Sequence, residues 1–485
     1  MSKDLLTLEP KLLWENFYHL TCIPRPSKKE AETVKFVIDF GKKHNLETII
    51  DTAGNVIVRK PATKGYENRR GIIMQAHLDM VPQKNSDTKH DFEKDPINAY
   101  VDGEWVKAKG TTLGADNGIG VAAALAVMEA TDLEHGPIEA LFTIDEEAGM
   151  TGAKNIQPAV LKGNILLNLD SEDEGELYVG CAGGSDATAT FTFKEEAVPK
   201  NSIAYELALT GLKGGHSGLD IPLGRGNANK IMFRFLKNVV ANNGVRLSSI
   251  NGGSLRNAIP REAFAIVTVP NENEKIFLED LSEFTDVLKL ELGKTEPNLS
   301  FIAKKTEMPK SIMDEVTQDD IINAVQACPN GVVRMSNDME NLVETSLNLA
   351  IVQSEGNKVV LKALLRSSVD TAKVDVESTL ESLFRLAGAD IKFSGQYPGW
   401  KPNMDSPILK TMQEVYQTKW GKIPEIRAIH AGLECGILGS AYPGWDMISF
   451  GPTIRFPHSP DEKVHIDSVR LFWEYLVETL RCAPE

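Results

Sequence analysis

The alternation of apolar and polar residues divides the chain into two textures. Residues 71–76, 138–144 and 164–169 are short, almost continuous apolar runs, the mark of strands buried on both faces, and helix-like segments separate them. From 185 to 395 strands alternate instead, around long amphipathic stretches at 226–241, 274–292 and 374–387 that predict helices. A strand, a helix and a strand pair can be drawn in both the first and the last third of this region, so a pattern built twice is open there. The first texture returns at Tyr397, with a helix over 407–420, strands at 425–429 and 447–450, and a closing amphipathic helix over 468–481. The expectation is an α/β domain with a mixed, mainly parallel sheet, made from residues 1–184 and 397–485, and an inserted α+β lid domain, 185–396.

Smaller elements fill in the first part. Helices over 8–20 and 28–45 precede the sheet, the second opened by Ser27 with Glu30 at capping-box spacing. Residues 47–60 read as a strand pair, and 97–109 as a hairpin turning at Asp102-Gly103. The glycine-rich turn 110–120 runs into a buried helix from Val121. Such a turn can hold phosphate on a helix N-terminus, but the lysine-hydroxyl pair of a Walker loop is missing and Asp116 would repel an anion. A tight structural turn, or one that presents Asp116 to a cation, remains.

The chemistry gathers where the apolar runs stop. The first run delivers His77 and Asp79, which strand periodicity turns to one side. The second ends in Asp145-Glu146-Glu147, the third in Asp170-Ser171-Glu172-Asp173, and the strand at 447–450 leads to His458. Any one of these would be an ordinary solvated loop tip. In an open α/β sheet, however, the carboxyl ends of the strands share one rim where ligands bind, and acids with histidines recurring there point to metal. His216, in Gly214-Gly215-His216-Ser217-Gly218, reads from its residues alone as an exposed loop histidine.

Composition narrows the class. A net charge of -16 argues against nucleic acid as a partner. The five cysteines are scattered without Cys-x-x-Cys spacing, which fits reduced thiols rather than a disulfide framework or a thiolate zinc site. No apolar stretch reaches the roughly 18 residues that span a bilayer, and the N-terminus has no apolar signal core. A cytoplasmic protein with no membrane partner is the expectation.

Ala76-His77-Leu78-Asp79-Met80, Thr111-Thr112-Leu113-Gly114-Ala115-Asp116-Asn117-Gly118, Asp145-Glu146-Glu147 and Pro457-His458-Ser459-Pro460-Asp461-Glu462 together resemble the M20 group of dinuclear zinc peptidases. Over essentially its full length the chain is similar, within that group, to the aminoacyl-histidine dipeptidases; Asn117-Gly118 departs from many other members and points to this subgroup. The resemblance implies two zinc ions per subunit, His77 and Asp170 on one, Glu147 and His458 on the other, and Asp116 bridging. The same ligands accept manganese or cobalt. It also implies a cis peptide after Asp116, Asp79 as the carboxylate that orients His77, and Glu146 as general base toward a water activated by the zinc pair. From the lid it implies His216 as donor to the developing oxyanion, and Asn257, Arg366 and Gly432 as substrate contacts, Arg366 being the natural partner of a carboxylate. The reaction implied is hydrolysis of dipeptides with a free N-terminus, Xaa-His dipeptides among them, in a homodimer whose enlarged lid serves its own chain. Asp170 rather than glutamate favours a free substrate amine. The alternatives are an N-acyl amino acid deacylase and a non-catalytic metal-binding scaffold; Glu146 beside Glu147 argues against the second, since storage needs ligands but no base.

Overall fold

The structure, a computed structural model, describes residues 3–485. The chain forms two compact units, one of residues up to Cys181 with Trp400–Ala428 and Leu433–Glu485, the other of Ala182–Gly399 with Ile429–Gly432.

The first unit is built on an eight-stranded sheet in the order Glu47–Ile50, Val56–Lys60, Ile138–Thr143, Ile72–His77, Ile165–Asn168, Asp446–Ser449, Glu176–Cys181, Glu425–Ile429. The four central strands run parallel, and the strands flanking them pair antiparallel. Each central strand is buried along its whole length, as its unbroken apolar run requires. Their carboxyl ends form one rim. The helix Ala115–Glu129 is also buried nearly throughout, its alanines and glycines admitting close neighbours. A second, four-stranded sheet was not foreseen from the sequence. It pairs the hairpin strands Ala99–Asp102 and Trp105–Ala108 with Lys463–His465 and Ile454–Arg455, and so holds the loop that carries His458.

The helix expected over 28–45 is shorter, Ala31–Lys43, and its capping box is absent. Ser27 Oγ donates instead to Asp79 Oδ2, at 2.8 Å, and Glu30 Oε1 accepts from the backbone N–H groups of Lys28 and Asp145. Both side chains are diverted to the loops at the sheet rim.

The second unit contains the same β-α-β-β-α-β pattern twice. One copy comprises Ser202–Thr210, helix Ala228–Asn243, Arg246–Gly252, Ala263–Pro270, helix Glu274–Leu292 and Ser300–Lys305. The other comprises Gly183–Thr192, helix Glu315–Ala327, Val343–Glu355, Lys358–Ser367, helix Asp370–Leu386 and Asp390–Tyr397. In each the fourth strand lies beside the first, then come the third and the second. The two second strands join antiparallel, Asn251 opposite Gln353 and Gly252 opposite Val352, into one nine-stranded sheet. The copies are nested: the first is inserted between the opening strand and the first helix of the other, and their helices share one hydrophobic core.

Residues 429–432, assigned above to the closing part of the α/β domain, group with the second unit. The reason is a close backbone fit: the N–H of Ala182 donates to the carbonyls of Ile429 and Ala431, and Gly432 packs against the Tyr397 ring.

Gly451 shows how tightly the rim loops fit in the first unit. A Cβ there would fall inside the Ser171 carbonyl, which is backbone and cannot swing aside. Gly451→Ala is expected to lower stability by about 1–3 kcal/mol, measured by urea unfolding; an unchanged midpoint would show that the loop yields freely.

Candidate metal centre

Two triads meet on the rim of the first unit and share Asp116. His77 Nε2 lies 3.1 Å from Asp116 Oδ1 and 3.3 Å from Asp170 Oδ1. His458 Nε2 lies 3.1 Å from Asp116 Oδ2 and 3.1 Å from Glu147 Oε1. Each oxygen of Asp116 thus serves one histidine. Glu146 extends the group, since ligand-type atoms of His77, Glu146 and Glu147 lie within 4.8 Å of one another.

Local backbone conformation explains how each side chain arrives there. His77 is the last residue of its strand. Asp116 sits where the helix Ala115–Glu129 leaves helical geometry, and the Asp116–Asn117 peptide is cis. Gly114 takes a left-handed φ of 71°, and a Cβ on Gly118 would come within 2.6 Å of Arg25 Nη2 and 2.9 Å of the Phe17 ring. Close packing against Arg25 and Phe17 is therefore why Gly118 is glycine. Glu146 and Glu147 open a single helical turn whose first N–H groups donate to Asp79, Glu146 N to Oδ1 at 3.0 Å and Glu147 N to Oδ2 at 3.1 Å. His458, at φ 58°, stands in the loop between Ile454–Arg455 and Lys463–His465.

The role expected of Asp79 is broadened by this geometry. His77 Nδ1 lies 3.2 Å from the main-chain oxygen of Asp79 and 3.4 Å from its Oδ1, so the ring is oriented by both. The carboxylate also caps the turn bearing Glu146 and Glu147. Burial would raise its pKa, but His77, Ser27 and the Glu146 N–H hold it down at about 2.

Electrostatics follow from crowding. Burial alone would depress His77, yet Asp170, Asp116 and Asp79 outweigh it and lift its pKa well above the ordinary value. The neighbouring carboxylates of Asp116 and Glu147 raise His458 to about 11. Burial pushes Glu146 well up against the opposing charge of His77, and Asp170, Glu434 and Glu147 add to the rise. Asp170 and Glu147 are raised chiefly by burial. Each imidazole, as a cation, answers two carboxylates, and Glu147 Oε1 is buried without accepting a hydrogen bond. Nitrogen and carboxylate donors in two such groups are a set that fits divalent metal ions.

The model for peptidase family M20/M25/M40 matches residues 73–481. The chain belongs to that family. A cytosol non-specific dipeptidase of Escherichia coli (strain K12) is 47% identical to this M20 peptidase over 481 residues, 99% of each chain. The crystal structure of an aminoacylhistidine dipeptidase from Vibrio alginolyticus is 51% identical, with a TM-score of 0.96 over 100% of both chains. The aminopeptidase PepT of Bacillus cereus ATCC 10987 shares the fold at 16% identity, TM-score 0.57, over 98% of this chain and 99% of that one.

The remaining predicted site residues of this M20 peptidase lie in its second unit. Arg366 is buried, its Nη1 3.3 Å from the Tyr397 hydroxyl and its Nε without a hydrogen-bond partner. His216 Nδ1 accepts from the N–H groups of Gly218 and Leu219, at 3.2 and 3.0 Å, which leaves Nε2 as the ring's protonated nitrogen. Burial and the Arg366 charge lower its pKa. Asn257 accepts from Ser217 N through its main-chain oxygen, and a Cβ on Gly432 would touch the Tyr397 ring at 3.0 Å. His430 was missed. It is buried, its Nε2 2.7 Å from Ser346 Oγ, and burial followed by the charges of Arg366 and His216 depresses it to about 3.

Buried acids behind the metal centre were also missed. Glu434 Oε2 accepts from Gln75 Nε2 at 2.6 Å and Thr143 Oγ1 at 2.8 Å. Burial lifts its pKa to about 8. Gln75 inside an otherwise apolar strand was the available signal, because a buried amide demands partners. Glu172, on the rim, is raised to about 8 by burial and by Asp116 and Asp170. Glu462 accepts from four consecutive backbone N–H groups, Leu113 and Ala115 at 2.7 Å, Gly114 at 3.0 Å and Asp116 at 3.2 Å. It ties the Asp116 turn to the His458 loop. Glu462→Gln would aim an amide N–H₂ at these donors. Zinc affinity is expected to fall about 10–100-fold with the far-UV circular dichroism retained, measured by competition against a chromophoric chelator. Wild-type affinity in that variant would overturn the role.

Proposed function

We propose that this M20 peptidase is a cytoplasmic, homodimeric metallo-dipeptidase that cleaves dipeptides with a free N-terminus, Xaa-His dipeptides among them, with two zinc ions per subunit. The observation that carries the reading is the pair of triads sharing Asp116 with Glu146 alongside. Ligands alone would suffice for a scaffold. A half-buried carboxylate that completes neither triad but stands beside His77 of one and Glu147 of the other is suited to proton transfer. The dipeptidase names of the relatives in Escherichia coli and Vibrio alginolyticus support the substrate class.

His77 and Asp170 would hold one ion, Glu147 and His458 the other, and Asp116 both. Bound there, the ions supply Lewis acidity that lowers the pKa of water toward ~7 and polarises the scissile carbonyl. Glu146 takes the proton of the attacking water and later delivers it to the leaving amine, its raised proton affinity suiting both steps. Asp79 holds Glu146 and Glu147 in register through their N–H groups. In the second unit, His216 carries its ring proton on Nε2 and is suited to donate to a developing oxyanion, and Arg366, buried with Nε unsatisfied, is suited to a C-terminal carboxylate. Asn257 and Gly432 would complete the substrate contacts.

Glu146→Gln is expected to retain zinc and to lose at least about 10²-fold in kcat on Ala-His, with metal measured by atomic absorption beside the rate. Unchanged hydrolysis would sink the mechanism. Cleavage of N-acetyl-Ala-His at a rate equal to Ala-His would replace the dipeptidase with a deacylase. Mixing His216→Ala with Glu146→Ala chains should give no activity if each lid serves its own chain; recovered turnover would show exchange between subunits.

A further inference from the structure

Four neighbouring strands of the second unit, Val343–Glu355, Lys358–Ser367, Gly183–Thr192 and Asp390–Tyr397, bring one residue each into a row. Ser346 lies opposite Arg366, Arg366 opposite Gly184, and Gly184 opposite Tyr397. Residues paired in this way share a face of the sheet. Tyr397 reaches its place only because its strand is bulged: Ser394 pairs with Asp186, and one extra residue intervenes before Tyr397 meets Gly184. Gly395, at φ 60°, supplies the left-handed conformation that such a bulge uses. Without the extra residue Gln396 would stand opposite Gly184, and the tyrosine would turn to the other face.

The surroundings then fix the ring. A Cβ on Gly184 would fall 2.5 Å from Tyr397 Cε1 and 2.7 Å from its hydroxyl, so glycine is what lets the phenol cross this strand toward Arg366. Gly432 closes the other edge of the ring, and the main-chain oxygen of Tyr397 accepts from Lys373 Nζ at 2.7 Å. The hydroxyl accepts from Arg366 Nη1 at 3.3 Å. Arg366 has little else to hold it. Ser346 Oγ, on its other side, lies 2.7 Å from His430 Nε2 and is engaged there. Among the described residues no acid pairs with the guanidinium, and its Nε is buried without an acceptor. A buried cation without an anion is costly, and the edge formed by Nε and Nη2 is the one that Tyr397 leaves open.

We infer that Tyr397 is a positioning residue for substrate binding, whose hydroxyl holds Nη1 of Arg366 so that the Nε–Nη2 edge receives the C-terminal carboxylate. The inference rests on the dipeptidase reading, in which Arg366 takes that carboxylate, and adds what sets the orientation of the arginine. A guanidinium binds a carboxylate through two parallel N–H bonds, so the plane and direction of its fork decide the strength of the pair. A fork already held on one edge loses less freedom when the other is occupied. Tyr397 acts through Arg366, and a substrate without a C-terminal charge gains nothing from it.

Tyr397→Phe keeps the ring and its contacts with Gly184 and Gly432 and removes only the hydroxyl. Steady-state rates of the zinc-loaded protein give kcat and KM for Ala-His and for Ala-histidinamide, which lacks the C-terminal charge. Calorimetric titration in a Glu146→Gln background, where the peptide is not consumed, gives both affinities with and without the substitution. The expected result is a KM and Kd for Ala-His raised roughly 5- to 20-fold, with the values for the amide, the zinc content and kcat all within about twofold. An Ala-His affinity that does not change would overturn the inference. So would a loss shared equally by the amide, since a merely structural tyrosine weakens both. If Ala-His is not preferred to its amide even with Tyr397 in place, Arg366 is not the carboxylate's partner and the inference fails with it. A protein that prefers Ala-His in binding yet hydrolyses neither compound overturns the dipeptidase reading alone, because the affinities still decide for or against Tyr397.

Discussion

Asp116 offers one oxygen to each of two imidazoles, so segments of chain around residues 77, 116 and 458 have to meet at a fixed point. Two buried side chains, Glu462 and Arg25, hold them there. Glu462 gathers the N–H groups of residues 113–116 from a position four residues past His458. Arg25 donates to the carbonyls of Leu78, Asp79 and Gly114, which ties the end of the His77 strand to the same turn. Neither side chain takes a surface position, although burying charge costs several kcal/mol unless partners compensate. Glu462 satisfies the N–H groups that open a turn leaving helical geometry at Asp116 and Asn117, and Arg25 joins the Gly114 carbonyl of that turn to those of Leu78 and Asp79.

Beneath this cluster the sheet is polar where a parallel sheet is ordinarily apolar. Glu434 binds Gln75, Gln75 Oε1 accepts from Asn168 Nδ2 at 2.5 Å, Asn168 binds Ser449, and Ser449 meets Ser171. The chain of bonds crosses neighbouring strands at their carboxyl ends and finishes in the loop after Asp170. Each of these side chains makes at least one such bond, although Glu434 Oε1 is buried without a partner. The rim therefore rests on a hydrogen-bonded floor as well as on hydrophobic packing.

Much of this was legible beforehand. The buried strands, the rim and the histidine and acid positions follow from apolar runs that stop at ligand-type residues, and the helix Glu274–Leu292 from its amphipathic period. Helix Glu315–Ala327 was passed over; it is short and polar, and its start is marked only by Asp314 capping the Thr317 N–H. The small sheet beneath His458 escaped because its strands are two to four residues long and join segments far apart in the chain. Ser27 and Glu30 have capping-box spacing but are captured by Asp79 and by the N–H of Asp145, a competition no local pattern reveals. Glu462 stood in a quoted motif without a task, because only geometry shows that it cradles backbone amides.

The nesting of the second unit has a consequence for how it can change. His216 and Asn257 belong to the inner copy and Arg366 to the outer one, on a scaffold of the same strand order. In a symmetric pair of identical chains, every substitution strikes both halves, and a gain on one side has to be tolerated on the other. Here the halves are written separately in one gene. Each can drift alone, so a residue such as His216 or Arg366 in one copy needs no equivalent in the other.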